Sequence, residues 1–352
     1  MNLSRTLALS AAHAGAKLEP GVIERRALRD DDVLIDVAYA GICHSDIHQL
    51  REEWGTAIFP MVPGHEIAGV VSEVGAAVSG FKVGDRVGVG CMVDSCGECD
   101  FCKDGEEQYC AKGAVMTYNG AGYDGEETMG GYSQQLVVSE RFALRIPDAL
   151  GLDVAAPLLC AGITTYSPLK RWGAGPGKKV AVIGMGGLGH MAVQIANAMG
   201  AEVSVLSRTT DKAQDGAKLG AQHYYATKDE DTLPKLKGTF DLIINTVSAD
   251  LVMDDYVALL RPLGAMVNVG IPTSPYSVQA GSLVGGSRVV AGSQIGGIAQ
   301  TQEMLDFCAE NGIASVIETI SADDVNLAYD RVVSSDVRYR FVIDAATIPA
   351  QD

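Results

Sequence analysis

The spacing of hydrophobic positions changes partway along the chain. Up to about residue 150, Val- and Ile-rich runs such as DVLIDVAYA and IAGVVSEVG are short and are separated by Gly- and Pro-rich turns. Short runs bounded by turn residues are typical of antiparallel strands. We therefore predict a barrel-like β domain in this part of the chain, with a first strand over residues 5–11.

From about residue 153 the pattern becomes one of strands that alternate with helices. KKVAVIG, AEVSVLS and FDLIINTV are continuous apolar runs, and LGHMAVQIANAMG has helical spacing. Strands without polar alternation are buried on both faces, as in a doubly wound parallel sheet. Towards the end, a helix TQEMLDFCAENG and a strand YRFVID indicate a return to the first domain. The predicted domains cover residues 1–152, 153–297 and 298–352.

Length and charge narrow the functional classes. A chain of 352 residues is too long for one ordinary core, which supports two domains. The formal net charge of −17 argues against a nucleic-acid partner, because phosphate binding needs clustered Lys and Arg. The first twenty residues resemble a weak signal peptide, but their apolar run is short and is broken by Ser10. No run approaches the roughly 20 apolar residues of a membrane span, so we expect a cytoplasmic protein without a membrane partner.

A glycine motif indicates a dinucleotide cofactor. VAVIGMGGLGH places Gly184, Gly186 and Gly189 in G-x-G-x-x-G order between a predicted strand and a predicted helix. Gly184 permits the tight turn, Gly186 lets a pyrophosphate approach the backbone, and Gly189 allows the helix to pack closely on the strand. The helix N-terminus then stabilises the phosphate charge.

The end of the second predicted strand indicates which dinucleotide is used. NAD sites place Asp or Glu there to bond the ribose 2′-hydroxyl, whereas this chain reads VLSRTTDK. Ser207 and Arg208 stand where the carboxylate is expected, and Arg208, Thr209 and Lys212 would hold a 2′-phosphate. We therefore predict NADP(H) rather than NAD(H). Asp211, the nearest carboxylate, is expected early in the next helix.

Four cysteines form a compact group. CGECDFCKDGEEQYC has the spacing C-x₂-C-x₂-C-x₇-C over Cys96, Cys99, Cys102 and Cys110. Four thiolates without an open position suit a structural zinc ion. The alternative is an iron–sulfur cluster, but its bacterial signature has a three-residue last gap followed by Pro. Two further cysteines, Cys91 and Cys308, are interpreted as buried free thiols.

A catalytic zinc needs about three protein ligands outside that closed group. Cys43 follows the strand VLIDVAYAG in AGICHSDIHQL, His65 and Glu66 lie in VPGHEIAG, and Cys160 lies in PLLCAGITTY. Two thiolates and one imidazole are a known catalytic set. Spacing alone joins these residues weakly, because they are scattered along the chain.

A family resemblance joins them. GICHSDIH, PGHEIAGVVSEVG, VGDRVGVG, the cysteine group, CAGITTYSPL and GMGGLGHMAV occur in this order with these gaps, and DVRYRFVID follows near the end. Together they resemble the zinc-dependent medium-chain alcohol dehydrogenases over nearly the whole chain. CHSDIH, MVDSCGECDFC and the missing carboxylate at Ser207 most resemble the cinnamyl alcohol dehydrogenase branch. The resemblance implies a GroES-like β-barrel domain and a Rossmann cofactor domain.

The resemblance also implies a role for each residue near the metal. Cys43, His65 and Cys160 would hold a catalytic zinc, so that each chain binds two zinc ions, one catalytic and one structural. Glu66 would lie beside the metal and could replace water on it. Asp46 would accept a bond from His65 and so fix the ring tautomer.

Further roles concern the proton and the cofactor. Ser45 would contact the reacting oxygen, and His48 would connect that hydroxyl to solvent. Thr164 would pack beside the nicotinamide, and Arg340 would reach the pyrophosphate. Relatives of the liver type carry Arg where this chain has His44, so the role of His44 is open. The glycine loop residues Gly187 and Leu188 complete the implied cofactor contacts, and the implied substrate-pocket residues are Trp54, Phe59, Met92 and Ile295.

The resulting hypothesis is an NADP(H)-dependent zinc alcohol dehydrogenase that mainly reduces aromatic or medium-chain aldehydes. An NAD-linked or polyol-directed member of the same superfamily is the alternative enzyme. The third hypothesis is a zinc- and dinucleotide-binding protein without turnover. Such a protein would be expected to lack a zinc ligand or the proton relay, whereas the implied residues of both are all present here. The family forms dimers or tetramers, and the branch favours a homodimer.

Overall fold

The structure, a computed structural model, describes residues 4–272 and 274–350. Its strands are β1 (Ser4–Ser10), β2 (Glu19–Arg25), β3 (Asp32–Gly41), β4 (Ile67–Val74), β5 (Arg86–Val89), β6 (Met92–Asp94), β7 (Val115–Met116), β8 (Gln135–Ser139), β9 (Leu144–Arg145), β10 (Lys179–Ile183), β11 (Glu202–Ser207), β12 (His223–Ala226), β13 (Phe240–Asn245), β14 (Leu260–Asn268), β15 (Val289–Gly292), β16 (Ile317–Ile320) and β17 (Arg340–Asp344).

The α-helices are α1 (His44–Leu50), α2 (Asp100–Lys103), α3 (Leu152–Ala155), α4 (Ala161–Arg171), α5 (Gly189–Ala198), α6 (Ala213–Lys218), α7 (Thr232–Lys235), α8 (Met253–Val257), α9 (Ala280–Val284), α10 (Ile298–Glu310) and α11 (Val325–Val333). Short 3-10 helices lie at Glu107–Tyr109, Glu140–Phe142, Ala156–Leu159, Ala322–Asp324 and Ala345–Thr347. In the described part of the chain, none of the helices is long and apolar enough to span a membrane.

The chain folds into two compact units. The first unit contains the described residues up to Cys160 together with those from Gly296 onwards, and the second unit is Ala161–Ile295. The boundaries thus fall after residue 160 rather than 152, and after residue 295 rather than 297. The first difference has a packing cause, because α3 and the 3-10 helix Ala156–Leu159 contact β3 and β4 of the first unit.

The first unit is built around a seven-stranded sheet. Its order is β16-β17-β3-β4-β5-β9, with β8 also paired to β3. All pairs are antiparallel except β16 with β17. The first four residues of β3 are buried, as its Val- and Ile-rich sequence predicts. The predicted antiparallel β domain is confirmed, and the strand predicted over residues 5–11 is β1.

The second unit is built around a six-stranded parallel sheet. Its order is β12-β11-β10-β13-β14-β15. The apolar runs of β10, β11 and β13 are almost wholly buried, which confirms the predicted doubly wound fold. The chain runs outward from β10 to β12 and then returns to β13 on the other side of β10. Open parallel sheets bind ligands at such a reversal, outside the carboxyl ends of the strands.

Candidate active site

Four buried residues of the first unit form a candidate metal site. The ligand atoms of Cys43, His65, Glu66 and Cys160 all lie within 4.8 Å of one another. Cys43 follows β3, His65 and Glu66 immediately precede β4, and Cys160 follows the 3-10 helix Ala156–Leu159. The two Sγ atoms are 3.9 Å apart. Folding therefore brings together the scattered candidates that the sequence joins only through a resemblance.

The local structure around Cys43 follows from its capping role. Cys43 is the N-cap of α1, and the Asp46 carboxylate accepts a bond from the Cys43 N–H at 2.9 Å. Such a reciprocal cap satisfies N–H groups that have no partner inside the helix. Cys43, Ser45 and His48 therefore lie at the start of and along a short helix rather than on a regular strand.

Asp46 lies behind His65. It is fully buried, and one carboxylate oxygen is 3.1 Å from His65 Nδ1. Burial disfavours the imidazolium, but the Asp46 carboxylate and the Cys91 and Cys43 thiols outweigh that effect and raise the pKa of His65. The contact fixes the orientation of the ring and leaves Nε2 for a metal.

One proton can lie between the Cys43 and Cys160 sulfurs, because their Sγ atoms are 3.9 Å apart and either can donate. The bond from Cys160 is the main cause that lowers the pKa of Cys43, and the bonds to Cys43 and Cys91 raise the pKa of Cys160. A divalent cation would replace that proton, because thiolates are the form that binds metal. Two thiols and an oriented imidazole in a buried pocket therefore fit zinc.

Glu66 is paired with Arg340. Both are buried, and Arg340 Nη2 donates to Glu66 Oε1, while Glu66 Oε2 and Arg340 Nε have no partner in the described structure. Burial raises the pKa of Glu66 to about 7, against the opposing effect of the Arg340 charge. A Cβ at Gly41 would lie 2.1 Å from Glu66 Oε2, so only glycine fits there. The contact between Arg340 and the pyrophosphate stays a prediction.

His48 has a partner that sequence reasoning missed. Its Nδ1 pairs with the Glu53 carboxylate, its ring stacks on Trp54 at 4.6 Å between centroids, and its Nε2 is buried with no partner in the described structure. Ser45 Oγ lies 3.5 Å from Cys43 Sγ, and the exposed His44 ring is 4.8 Å from that of His48. Glu53 lies only three residues after the end of α1. The acidic residues of that turn were the sequence signal that could have identified a partner for His48.

The other predicted pocket residues are distributed over both units. Met92 is buried, Phe59 is half-buried and Trp54 is 39% exposed, all in the first unit. Ile295 is half-buried and ends the second unit with φ of +37°. Their role in substrate binding stays a prediction. Cys91, interpreted as a buried free thiol, is buried and free, and its Sγ lies 4.0 Å from the Leu159 carbonyl oxygen.

The four remaining candidate ligands form a second candidate metal site. The Sγ atoms of Cys96, Cys99, Cys102 and Cys110 lie within 4.8 Å of one another. Backbone N–H groups point at these sulfurs, for example Cys99 N at 3.4 Å from Cys96 Sγ and Cys96 N at 3.4 Å from Cys110 Sγ. Burial opposes the Cys110 thiolate, but the bonds it accepts lower its pKa to about 6. These donors stabilise thiolates and fit a closed zinc site.

Cys102→Ser is expected to remove the metal of this lobe alone. A three-thiolate remnant no longer closes the tetrahedral site, and structural zinc binding stabilises the fold directly. We expect one zinc fewer per chain by elemental analysis and a Tm lower by roughly 10 °C. Cys308→Ser, on α10 in the same unit, is the matched control. A variant that keeps its full zinc content would contradict the assignment.

The glycine loop of the second unit joins β10 to α5. Gly184 has φ of +93°, which an L side chain adopts poorly, and a Cβ at Gly189 would lie 2.2 Å from the Gly184 carbonyl oxygen. A Cβ at Gly186 would meet nothing within 4 Å, so this side of the loop is open. Gly187 and Leu188 complete the turn, and Leu188 is the N-cap of α5. The loop fits a pyrophosphate.

The residues predicted to select the cofactor lie where β11 ends. Ser207 is the last residue of β11, Arg208 is exposed, and Lys212 Nζ donates to the Met185 carbonyl oxygen of the glycine loop at 3.1 Å. Thr209 Oγ1 donates to Asp211 at 2.7 Å. The expectation that Asp211 lies early in the next helix is wrong, because α6 starts at Ala213 and Asp211 belongs to the preceding turn. Thr164 lies on α4 and is buried.

Two family models match the chain. The model described as "Alcohol dehydrogenase GroES-like domain" matches residues 29–148, and the model described as "Zinc-binding dehydrogenase" matches residues 187–310. The first match lies within the first unit. The second match covers most of the second unit and continues into α10. The predicted GroES-like and Rossmann fold classes are both confirmed.

Relatives match the chain over nearly its whole length. It is 60% identical over 347 residues to "Probable formaldehyde dehydrogenase" of Bacillus subtilis, covering 99% of each chain. It is 58% identical to "NADP-dependent alcohol dehydrogenase C 1" of Mycolicibacterium smegmatis, over 98% of this chain and 99% of the relative. The structure of a cinnamyl alcohol dehydrogenase from Sorghum bicolor matches with a TM-score of 0.96 and 44% identity, covering 99% of this chain and all of that one.

Proposed function

The chain belongs to the zinc-binding, GroES-like alcohol dehydrogenases, and from this we propose that it transfers a hydride between NADP(H) and a primary alcohol or aldehyde, mainly as an aldehyde reductase. The supporting observation is the buried cluster of Cys43, His65, Glu66 and Cys160 in one unit. Two thiolates and an imidazole would leave a position open for substrate, as catalytic zinc sites require.

The two cysteine-containing clusters would hold one zinc ion each. Cys43, His65 and Cys160 would bind the catalytic ion, which supplies a Lewis acid for the substrate oxygen. Asp46 holds His65 in one orientation through the bond at 3.1 Å. Arg340 balances the charge of Glu66 beside the cluster, so that carboxylate can sit near the thiolates at a reduced electrostatic cost.

A proton must reach the product oxygen when an aldehyde is reduced. We assign its delivery to Ser45 and His48, since Nδ1 of His48 pairs with the Glu53 carboxylate and Nε2 is left to exchange the proton. The stacked Trp54 ring restricts the rotation of the imidazole. Oxidation of an alcohol would use the same groups in the opposite direction.

The cofactor is assigned as NADP(H) on the chemistry at the end of β11. A guanidinium at Arg208, the hydroxyls of Ser207 and Thr209 and the amine of Lys212 suit a 2′-phosphate dianion, since charge-assisted bonds to phosphate are the strong ones. The M. smegmatis relative is named as NADP-dependent, which supports the same assignment.

Arg208→Ala is expected to lower kcat/KM for NADPH about 10- to 100-fold and to change that for NADH little. The loss corresponds to one charge-assisted bond of about 1.5–3 kcal/mol. Initial rates with both cofactors measure it. Lys237→Ala removes an exposed charge of the same unit and serves as the control. An equal loss with NADH, or tighter use of NADH by the unmodified enzyme, would refute the assignment.

The substrate class is assigned as aromatic or medium-chain aldehydes. Apolar and aromatic side chains at Trp54, Phe59 and Met92 suit such groups, and the Sorghum bicolor structure is named for cinnamyl alcohol. Initial rates with NADPH and NADH against aromatic, aliphatic and sugar aldehydes, with formaldehyde included because of the B. subtilis name, test this. Highest kcat/KM for a sugar aldehyde with NADH would favour the polyol-directed alternative.

We also propose a homodimer in the cytoplasm. Leu263 and Val284 are each 80% exposed, and Val289 on the edge strand β15 is also exposed. An apolar edge of this kind suits a second copy of the same sheet. Light scattering of the purified protein would reveal such a dimer.

The cysteines support the cytoplasmic assignment, because all eight are free, as in a reducing compartment.

A further inference from the structure

A glycine-rich loop lies directly against the segment that ends in His65. Gly130 N donates to the Val62 carbonyl oxygen at 2.7 Å, Gly131 N to that of Gly64 at 2.9 Å, and Tyr132 N to that of Pro63 at 3.0 Å. A Cβ at Gly130 would lie 2.3 Å from the Pro63 carbonyl oxygen. The loop 130–132 therefore follows the backbone of 62–64 too closely for side chains at its first position.

A buried arginine holds this loop from β2. Arg25 Nη2 donates to the Gly130 carbonyl oxygen and to Ser133 Oγ, both at 2.7 Å, and Nε donates to the Gln135 carbonyl oxygen at 3.0 Å. Nη1 donates to the Met129 carbonyl oxygen. Arg25 is only 7% exposed. Four groups of the loop and the residues beside it thus accept bonds from one planar guanidinium, which fixes the loop.

Tyr132 extends from this loop to the metal site. Its side chain is fully buried, and its hydroxyl donates to Asp46 Oδ2 at 3.1 Å. The same oxygen accepts the Cys43 N–H at 2.9 Å, and the other oxygen contacts His65 Nδ1 at 3.1 Å and accepts Gly64 N–H at 3.3 Å. The Asp46 carboxylate thus connects two of the candidate ligands, Cys43 and His65. Tyr132 bonds the same carboxylate from a third segment of the chain.

The direction of the Tyr132 hydroxyl is fixed as well. Tyr329 on α11 donates its hydroxyl hydrogen to the Tyr132 oxygen at 3.5 Å, which turns the Tyr132 hydrogen towards Asp46. Tyr118 stacks on the His65 ring at 5.8 Å between centroids. Hydroxyls that bond in series strengthen one another in a buried site.

We infer that Tyr132 is a positioning residue of the catalytic metal site, because its hydroxyl fixes Asp46 and Asp46 fixes His65 and Cys43. This inference rests on the proposed metal site of the function above. Residues that orient a metal ligand without binding the metal themselves change metal affinity about 10- to 100-fold when they are lost. Tyr132 is fully buried and bonds Asp46, so its removal acts through retention and geometry of the metal.

The test compares Tyr132→Phe with Tyr256→Phe in the intact, zinc-loaded protein. Both variants lose one hydroxyl and keep the ring, and Tyr256 is a buried tyrosine of the second unit. The readouts are the rate at which zinc passes to a coloured chelator, the visible spectrum of the protein loaded with Co²⁺, and the Tm. We expect release of the catalytic zinc to be about 10- to 100-fold faster and the Co²⁺ bands to shift in Tyr132→Phe only.

The outcomes separate this inference from the proposed function. Zinc release and a Co²⁺ spectrum equal to those of the unmodified protein would overturn the role of Tyr132. Equal acceleration in Tyr132→Phe and Tyr256→Phe would also overturn it, since the effect would then be general destabilisation. If the unmodified protein held a single zinc that Cys102→Ser removes, the catalytic metal site would fail and this inference with it.

Discussion

Replacing Cys43 with alanine is expected to remove one of the two zinc ions and to lower kcat/KM for aldehyde reduction at least about 1000-fold. Cys43 Sγ is buried 3.9 Å from Cys160 Sγ, and its loss leaves only Cys160 and His65 beside Glu66. Lewis-acid stabilisation by a metal is worth several kcal/mol, and about 4 kcal/mol corresponds to 1000-fold. Elemental analysis and initial rates with NADPH measure the two effects.

The control for Cys43→Ala is Cys308→Ala. Cys308 is fully buried on α10 of the same unit, and its Sγ contacts Met304 at 3.7 Å rather than a candidate ligand. We expect this variant to keep both zinc ions and its activity, with a small loss of stability from the deleted thiol. Circular dichroism of Cys43→Ala should remain native. Reductase activity unchanged by Cys43→Ala would refute the assignment of Cys43 as a catalytic ligand.

The parts of this molecule that could be predicted from sequence are those whose information is local. The buried strands β10, β11 and β13 are continuous apolar runs, and the glycine loop lies within six residues of one strand. The four-cysteine lobe occupies fifteen residues, so its ligand set is visible in the spacing. In each case the residues that act together are also neighbours in the chain.

The catalytic cluster could not be predicted from spacing. Cys43 and Cys160 are 117 positions apart, and Glu66 and Arg340 are 274 apart. Their meeting depends on how β3, β4 and β17 pair in one sheet, which no local pattern encodes. A resemblance supplied the ligands, but it did not indicate Tyr132, because a tyrosine in a glycine-rich loop has no distinctive sequence signal. The bond of Glu53 to His48 was missed for a similar reason, since a surface carboxylate after a helix is common.

Arg340→Met is expected to lower the free energy of unfolding by about 3 kcal/mol. Glu66 is fully buried, and the substitution leaves its carboxylate without the guanidinium that pairs with it. Breaking a buried ion pair by removing one partner costs about 3–5 kcal/mol. The lower end is expected because Glu66 can take up a proton, since burial already raises its pKa to about 7 with Arg340 in place. Urea unfolding monitored by circular dichroism measures the change.

Two further variants decide whether the lost pairing is the cause. The double substitution Glu66→Gln with Arg340→Met removes both charges, so it should recover part of the stability that Arg340→Met alone loses. Arg261→Met breaks a pair with Asp241 at 3.1 Å in which the arginine side chain is 53% exposed, and it should cost less than about 1 kcal/mol. If Arg340→Met and Arg261→Met destabilised the protein equally, the buried pair would contribute no more than a surface one. If the double variant were less stable than Arg340→Met, the loss would come from packing at β17 rather than from the unpaired carboxylate.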